Sequence, residues 1–122
     1  MRRVLNTFLQ LMERTEPDSL IVAATNCGAQ LDKALFRRFD DVLEYSLPNK
    51  IEIEALLSHC LYGFDASLLN IGTLLPQFKG MSHAEITAVC MDAVKESLLE
   101  GTPLDNIVME AAISHKKSTA KM

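Results

Sequence analysis

Three groups of residues carry the charged and polar chemistry of this sequence. Asn26 follows an apolar run at 20–24 and Thr25. An Asn at the end of a strand can orient a water molecule, and it is also a common turn former. Arg37 and Arg38 are adjacent. A guanidinium is always charged and offers fork-like hydrogen bonds to phosphate or carboxylate oxygens. Beside Asp40 and Asp41, the plainest use of the pair is a solvated ion pair worth roughly 0–1 kcal/mol. Ser82-His83-Ala84-Glu85 has the Ser-x-x-Glu spacing of a capping box. The other reactive side chains form no constellation. Cys27, Cys60 and Cys90 show no Cys-x-x-Cys spacing, and His59, His83 and His115 are scattered. The expectation is three reduced thiols and no metal site.

The elements that must position these residues divide into two kinds. Val4, Leu5, Phe8, Leu9, Leu11 and Met12 recur at helical spacing, which predicts a helix over 3–13 that Pro17 prevents from continuing. The run at 20–24 is too short for a stable helix and is apolar throughout, the pattern of a strand covered on both faces in a parallel sheet. A short helix is expected at 31–39 with Asp32 as its cap. Residues 42–47 read as a second strand, closed by Pro48.

Beyond Pro48 the pattern is helical. Asn49 and Glu52 form a capping pair, followed by one face of Ile51, Ile53, Leu56, Leu57, Cys60 and Leu61 up to Gly63. A short helix is predicted over roughly 67–75, stopping at Pro76. The box at Ser82 opens a helix with Ile86, Val89, Cys90, Ala93, Val94 and Leu98 inward and Gly101 as its C-cap. Asp105 caps a last helix with Ile107, Val108, Ala111 and Ala112 inward. The expected architecture is an α/β fragment over 1–48, two strands of a parallel sheet plus helices, followed by a four-helix subdomain over 49–122. The chain is mostly helical overall. Two strands and one helix cannot cover both faces of a parallel sheet, so the first part reads as incomplete.

Composition narrows the class. The chain has 122 residues, 48% of them apolar, enough for a packed core. A net charge of −4 gives no general basic surface for nucleic acid. No apolar run approaches the ~20 residues of a membrane span. The start lacks the pattern of a signal peptide, so a cytoplasmic location is expected.

Taken in order, Ala24-Thr25-Asn26, Leu31-Asp32, Ala34-Leu35-Phe36-Arg37-Arg38-Phe39-Asp40 and Leu47-Pro48 resemble the second region of homology of AAA-type ATPases. Downstream, Gly80-Met81-Ser82-His83-Ala84-Glu85-Ile86 is similar to the Gly-x-Ser-x-Ala-Asp-Ile box that opens the family's lid helix, with Glu85 in place of Asp. The upstream helix also resembles the one that follows the Walker B strand. The resemblance implies a P-loop-type sheet for the first part and a helical lid for the second. It implies that Asn26 is a polar sensor of the γ-phosphate. Arg37 and Arg38 are then arginine fingers that act in trans on a neighbour's nucleotide. Gly80, Ser82, His83 and Ala84 lie near the nucleotide in the intact module. It further implies a ring of subunits, a hexamer in the family, and a protein substrate.

The sequence also departs from a whole ATPase. The glycines at 28, 63, 72, 80 and 101 begin no Gly-x-x-x-x-Gly-Lys-Ser/Thr phosphate loop, and no apolar strand ends in Asp-Glu. ATP and Mg²⁺ are therefore expected in the intact parent and not on this chain alone. The expected function is the C-terminal portion of an ATPase that couples hydrolysis to protein remodelling. The alternative is a non-enzymatic module that docks onto a complete ring.

Overall fold

Helices of eight to eighteen residues hold together only when their apolar faces find cover, and in this chain they cover one another. The computed structural model describes residues 7, 10–11, 13–14, 18–25 and 36–121. It divides into two compact units, Met1–Glu44 and Tyr45–Met122. The second unit contains α1 (Lys50–Cys60), α2 (Ile71–Phe78), α3 (His83–Glu100) and α4 (Asn106–Ala120). The longest, α3, packs against α1 and α4, and α2 lies against the same two. Between them sit Ile53 and Leu57 of α1, Leu74 and Phe78 of α2, Ile86, Val89, Cys90 and Ala93 of α3, and Met109 and Ile113 of α4. Phe78, Ile86, Val89 and Met109 are sealed from solvent.

Each helix begins where a side chain can satisfy its first amides. Asn49 accepts from the Glu52 amide at 2.9 Å while the Glu52 carboxylate accepts from the Asn49 amide at 3.0 Å. Asp105 accepts from the Val108 amide at 3.0 Å. Gly101 ends α3 at φ +67°, a left-handed conformation that a side chain resists.

The short helix differs from its expected form. It begins at Ile71 because Asn70 supplies the cap, and it runs through Pro76 to Phe78. Proline deletes a single backbone donor here, and the helix ends two residues later, so the loss is small against the burial of Leu74, Leu75 and Phe78. Upstream, Asp65 folds the chain into a turn by accepting from the Ser67 hydroxyl at 2.7 Å and the Ser67 amide at 3.1 Å. A polar brace then fixes the start of α2 to the start of α4. The Asn106 side chain accepts from the Asn70 amide at 2.8 Å and donates to the Thr73 hydroxyl at 2.8 Å.

Three inward faces also require correction. On α1, Ile51 is 79% exposed, because the buried strip begins at Ile53. On α3, Leu98 is 70% exposed because the buried strip ends at Val94. On α4, Met109 and Ile113 face the core, with Val108 and Ala112 beside them, whereas Ile107 is 76% exposed and Ala111 is also outside. Both sets have helical spacing, and the bulkier side chains one position round the helix take the core.

In the first unit, the described positions Thr7, Gln10, Leu11 and Glu13 are helical, and the Arg14 amide donates to the Gln10 carbonyl at 3.2 Å. The predicted parallel sheet is not present: among the described residues there is no strand, and 20–25 and 42–47 have no regular secondary structure. Leu20 and Val22 are 89% and 82% exposed. The physical reason is that a strand's amides and carbonyls are satisfied only by neighbouring strands. The sequence offers two such runs in this part and no third to lie beside them. Most of the helix expected at 31–39 lies outside the described residues.

Removing the central aromatic tests the core. Phe78→Ala should lower the stability of the helical unit by about 3–5 kcal/mol, read from urea unfolding followed by far-ultraviolet circular dichroism. A loss below about 1 kcal/mol would mean that the faces do not close on Phe78.

Candidate functional site

The candidate residues fall into two local groups, one in each unit, and Asn26 lies outside the described residues. In the first unit, Phe36 is helical and the chain turns immediately after it, with the Phe39 amide donating to the Phe36 carbonyl at 3.3 Å. This turn presents Arg37 and Arg38 together, both exposed. Arg38 forms an ion pair with Glu13, and the two side chains are 44% and 58% exposed. Among the described residues, the pair does not involve Asp40 or Asp41, the acidic neighbours in sequence. Water screens such a contact to roughly 0–1 kcal/mol, so it orients Arg38 without committing it. A phosphate, which carries more charge and can accept two parallel bonds, would compete for the same guanidinium.

In the second unit, Gly80, Ser82, His83 and Ala84 come together at the start of α3. Gly80 has φ +88°, which turns the chain from α2 into the cap of α3. Met81 is buried behind the turn, and its amide donates to the Phe78 carbonyl at 3.1 Å. Ser82 accepts from the Glu85 amide at 3.2 Å, and the Glu85 carboxylate accepts from the Ser82 amide at 3.3 Å. The Ile86 amide donates to the Ser82 carbonyl at 3.0 Å, the first bond of the helix ladder. The amides of His83 and Ala84 are the two in this turn that the cap does not engage. They lie at the positive end of the helix dipole. Glu85 already places a carboxylate at that end, so the box is capped by its own side chain. His83 is exposed, and its carbonyl accepts from the Thr87 hydroxyl at 2.9 Å.

Two other features of the helical unit bear on its chemistry. A shallow groove of about 200 Å³ lies between the 64–68 turn and the end of α3, lined by Phe64, Leu68, Val94, Leu98 and Leu104. It is smaller than the roughly 300–1,000 Å³ of a typical small-molecule pocket. Burial pushes the Cys90 thiol up to about 12, helped by the neighbouring Cys60. Exposed Asp65 is held below the usual carboxylate range by the Ser67 hydroxyl and amide. Among the described residues, no group of three His, Cys, Asp or Glu side chains could hold a metal ion, and no helix is long and apolar enough to cross a membrane.

Sequence reasoning did not identify Glu13 as the partner of Arg38. The two lie 25 positions apart, and no local signal joins them. The Asn106 brace escaped it for the same reason, since Asn70 and Asn106 are 36 positions apart.

Two outcomes check this description. Ser82→Ala should cost about 1 kcal/mol of thermal stability, and Ser82→Asp should restore most of it. Equal loss in both variants would contradict the capping role. For Cys90 the folded state holds the proton more tightly than the unfolded state. Its contribution is complete below the ordinary value of 9.0 and is lost as pH rises toward about 12. Urea midpoints should therefore fall more steeply over that range for the native chain than for Cys90→Ala. Parallel curves would show that the thiol titrates normally.

No family model matches the chain. It is 35% identical over 104 residues to an uncharacterized AAA family ATPase of Sinorhizobium fredii, covering 82% of this chain and 30% of that protein. It is 30% identical over 105 residues to spastin of Naegleria gruberi, covering 84% of this chain and 19% of that protein. It is 35% identical over 106 residues to the ATPase family protein 2 homolog of Caenorhabditis elegans, covering 79% of this chain and 15% of that protein. The chain thus spans less than a third of the length of these curated relatives.

Proposed function

The homologues of this chain are AAA family ATPases, and from that premise we propose that it is the C-terminal portion of such an ATPase, acting in ATP hydrolysis coupled to protein remodelling. The observation that carries this reading is the similarity over about four-fifths of the chain, taken with the ordered motifs from Thr25 to Glu85. The four-helix unit that begins after Pro48 then serves as the lid, and the turn from Gly80 to Ala84 is its nucleotide-facing end. Asn26 serves as the sensor of the γ-phosphate.

Arg37 and Arg38 are the trans-acting cations. Their exposure on one turn supports this role, because a side chain that must reach another subunit cannot be locked in its own core. A guanidinium placed at the γ-phosphate stabilises charge that develops as the phosphoryl group is transferred. Arg38 would exchange Glu13 for phosphate, a step that costs little because the existing pair is exposed. The chain carries neither a phosphate loop nor, among its described residues, an acidic cluster suited to Mg²⁺. ATP and Mg²⁺ are therefore held by the part of the ATPase beyond these residues, in a ring whose subunits complete one another's sites.

The test uses the longer ATPase. Arg37→Ala and Arg38→Ala should leave ATP binding intact while reducing turnover. For comparison, fingers in GTPases contribute about 10³–10⁵ in rate. Mixing finger-less subunits with subunits lacking the phosphate-loop lysine should restore some turnover, because each supplies what the other lacks. Unchanged turnover in both single variants and in the double variant would remove the finger assignment. Failure of the mixed rings alone would place the arginines in cis. The isolated chain should show no tight ATP binding by calorimetry.

A further inference from the structure

Two thiols meet where α1 crosses α3. Cys60 is the last residue of α1, and its sulfur lies 3.8 Å from the Thr87 hydroxyl of α3. Thr87 and Cys90 are three residues apart on α3, which places them on one face of that helix. Cys60 therefore faces the strip that carries Cys90, near enough to help hold the proton on the Cys90 thiol. The two differ in access. Cys60 is half-buried at the edge of the core, while Cys90 is sealed behind it, and both are free thiols. A reachable thiol in front of a buried one is the arrangement in which an oxidised first sulfur can be captured by the second. Cys60 also has local freedom. The helix ends at this residue, and the chain turns away through Gly63 at φ +86°, so a small approach of Cys60 need not break the α1 ladder.

We propose that Cys60 and Cys90 form a reversible intramolecular disulfide joining α1 to α3 when the protein meets a peroxide. In the first step the Cys60 thiolate attacks a peroxide oxygen. An S–O bond forms, the O–O bond breaks, and hydroxide leaves and takes up a proton. Cys60 is then a sulfenic acid, oxidised by two electrons, and one oxygen of hydrogen peroxide has become water. In the second step the Cys90 sulfur gives up its proton and attacks the Cys60 sulfur. The S–S bond forms, the S–O bond breaks, and the departing hydroxide combines with that proton. Two thiols and one hydrogen peroxide thus become one disulfide and two waters. A small thiol such as glutathione reverses the reaction by exchange. The bond encloses the 64–68 turn and all of α2, the shortest helix, within a covalent loop. Oxidation therefore stiffens the segment that rests most on its neighbours.

The full chain carrying Cys27→Ser, which removes the third thiol, would be treated with hydrogen peroxide, digested without reductant and mapped by mass spectrometry. The expected product is a monomer lighter by two hydrogens, with one cross-linked pair of peptides containing Cys60 and Cys90. A dione probe added early should trap Cys60 alone. Dithiothreitol should reverse the link, Cys60→Ser should abolish it, and the oxidised chain should have a higher urea midpoint than the reduced chain. The unsubstituted chain, mapped in parallel, should give the same pair. Conversion of Cys60 to sulfinic acid with Cys90 still alkylatable after unfolding would overturn the proposal, as would links only between chains or only to Cys27.

Discussion

An apolar face needs cover, and in a chain this small the cover must come from its own elements. The helical unit meets that requirement. None of its four helices has a strong reason to exist alone, and α2, with eight residues, has least. Closed around Phe78, Ile86, Val89 and Met109, they exclude water from a single core. Transfer of those side chains from water supplies the driving force that helix propensity lacks. The runs at 20–25 and 42–47 have the same apolar character and no cover, and they adopt no regular secondary structure. The difference lies in topology: helices satisfy their backbone within themselves, whereas strands depend on neighbouring strands for their ladder bonds.

Polar joints then decide where each element begins. Asn49, Asn70, Ser82 and Asp105 each engage an amide of their helix's first turn, and two of them belong to full capping boxes. At the α2–α4 junction one side chain, Asn106, serves both helices. Because both its oxygen and its nitrogen are engaged, it fixes distance and orientation together, which apolar contacts alone do not do.

Two of the groups proposed for nucleotide chemistry, Arg38 and the Ser82 turn, share a feature. They are held in place by weak, local arrangements instead of deep burial. Arg38 is held by a solvent-exposed carboxylate, and the Ser82 turn is held by its own Glu85. Both arrangements are inexpensive to exchange for a stronger ligand, as the proposed nucleotide roles require. Cys90 is the opposite case, a thiol sealed in the core beside the half-buried Cys60.

What the sequence by itself determined was whatever depends on residues three or four positions apart. The caps at Asn49, Ser82 and Asp105, the left-handed Gly101, most of the faces of α1 and α3, and the family likeness were all legible because their physics is local. The tertiary structure alone decided how the competing faces of α4 were resolved, placing Met109 and Ile113 inside in place of Ile107 and Ala111. It alone carried α2 through Pro76, matched Arg38 with Glu13, and seated Cys60 against Cys90. Each of these outcomes depends on which surfaces, far apart in the chain, come to exclude water from one another. The strands were misread for the same reason: an apolar run states what needs burial, and only an assembled fold provides the neighbours that make it a sheet.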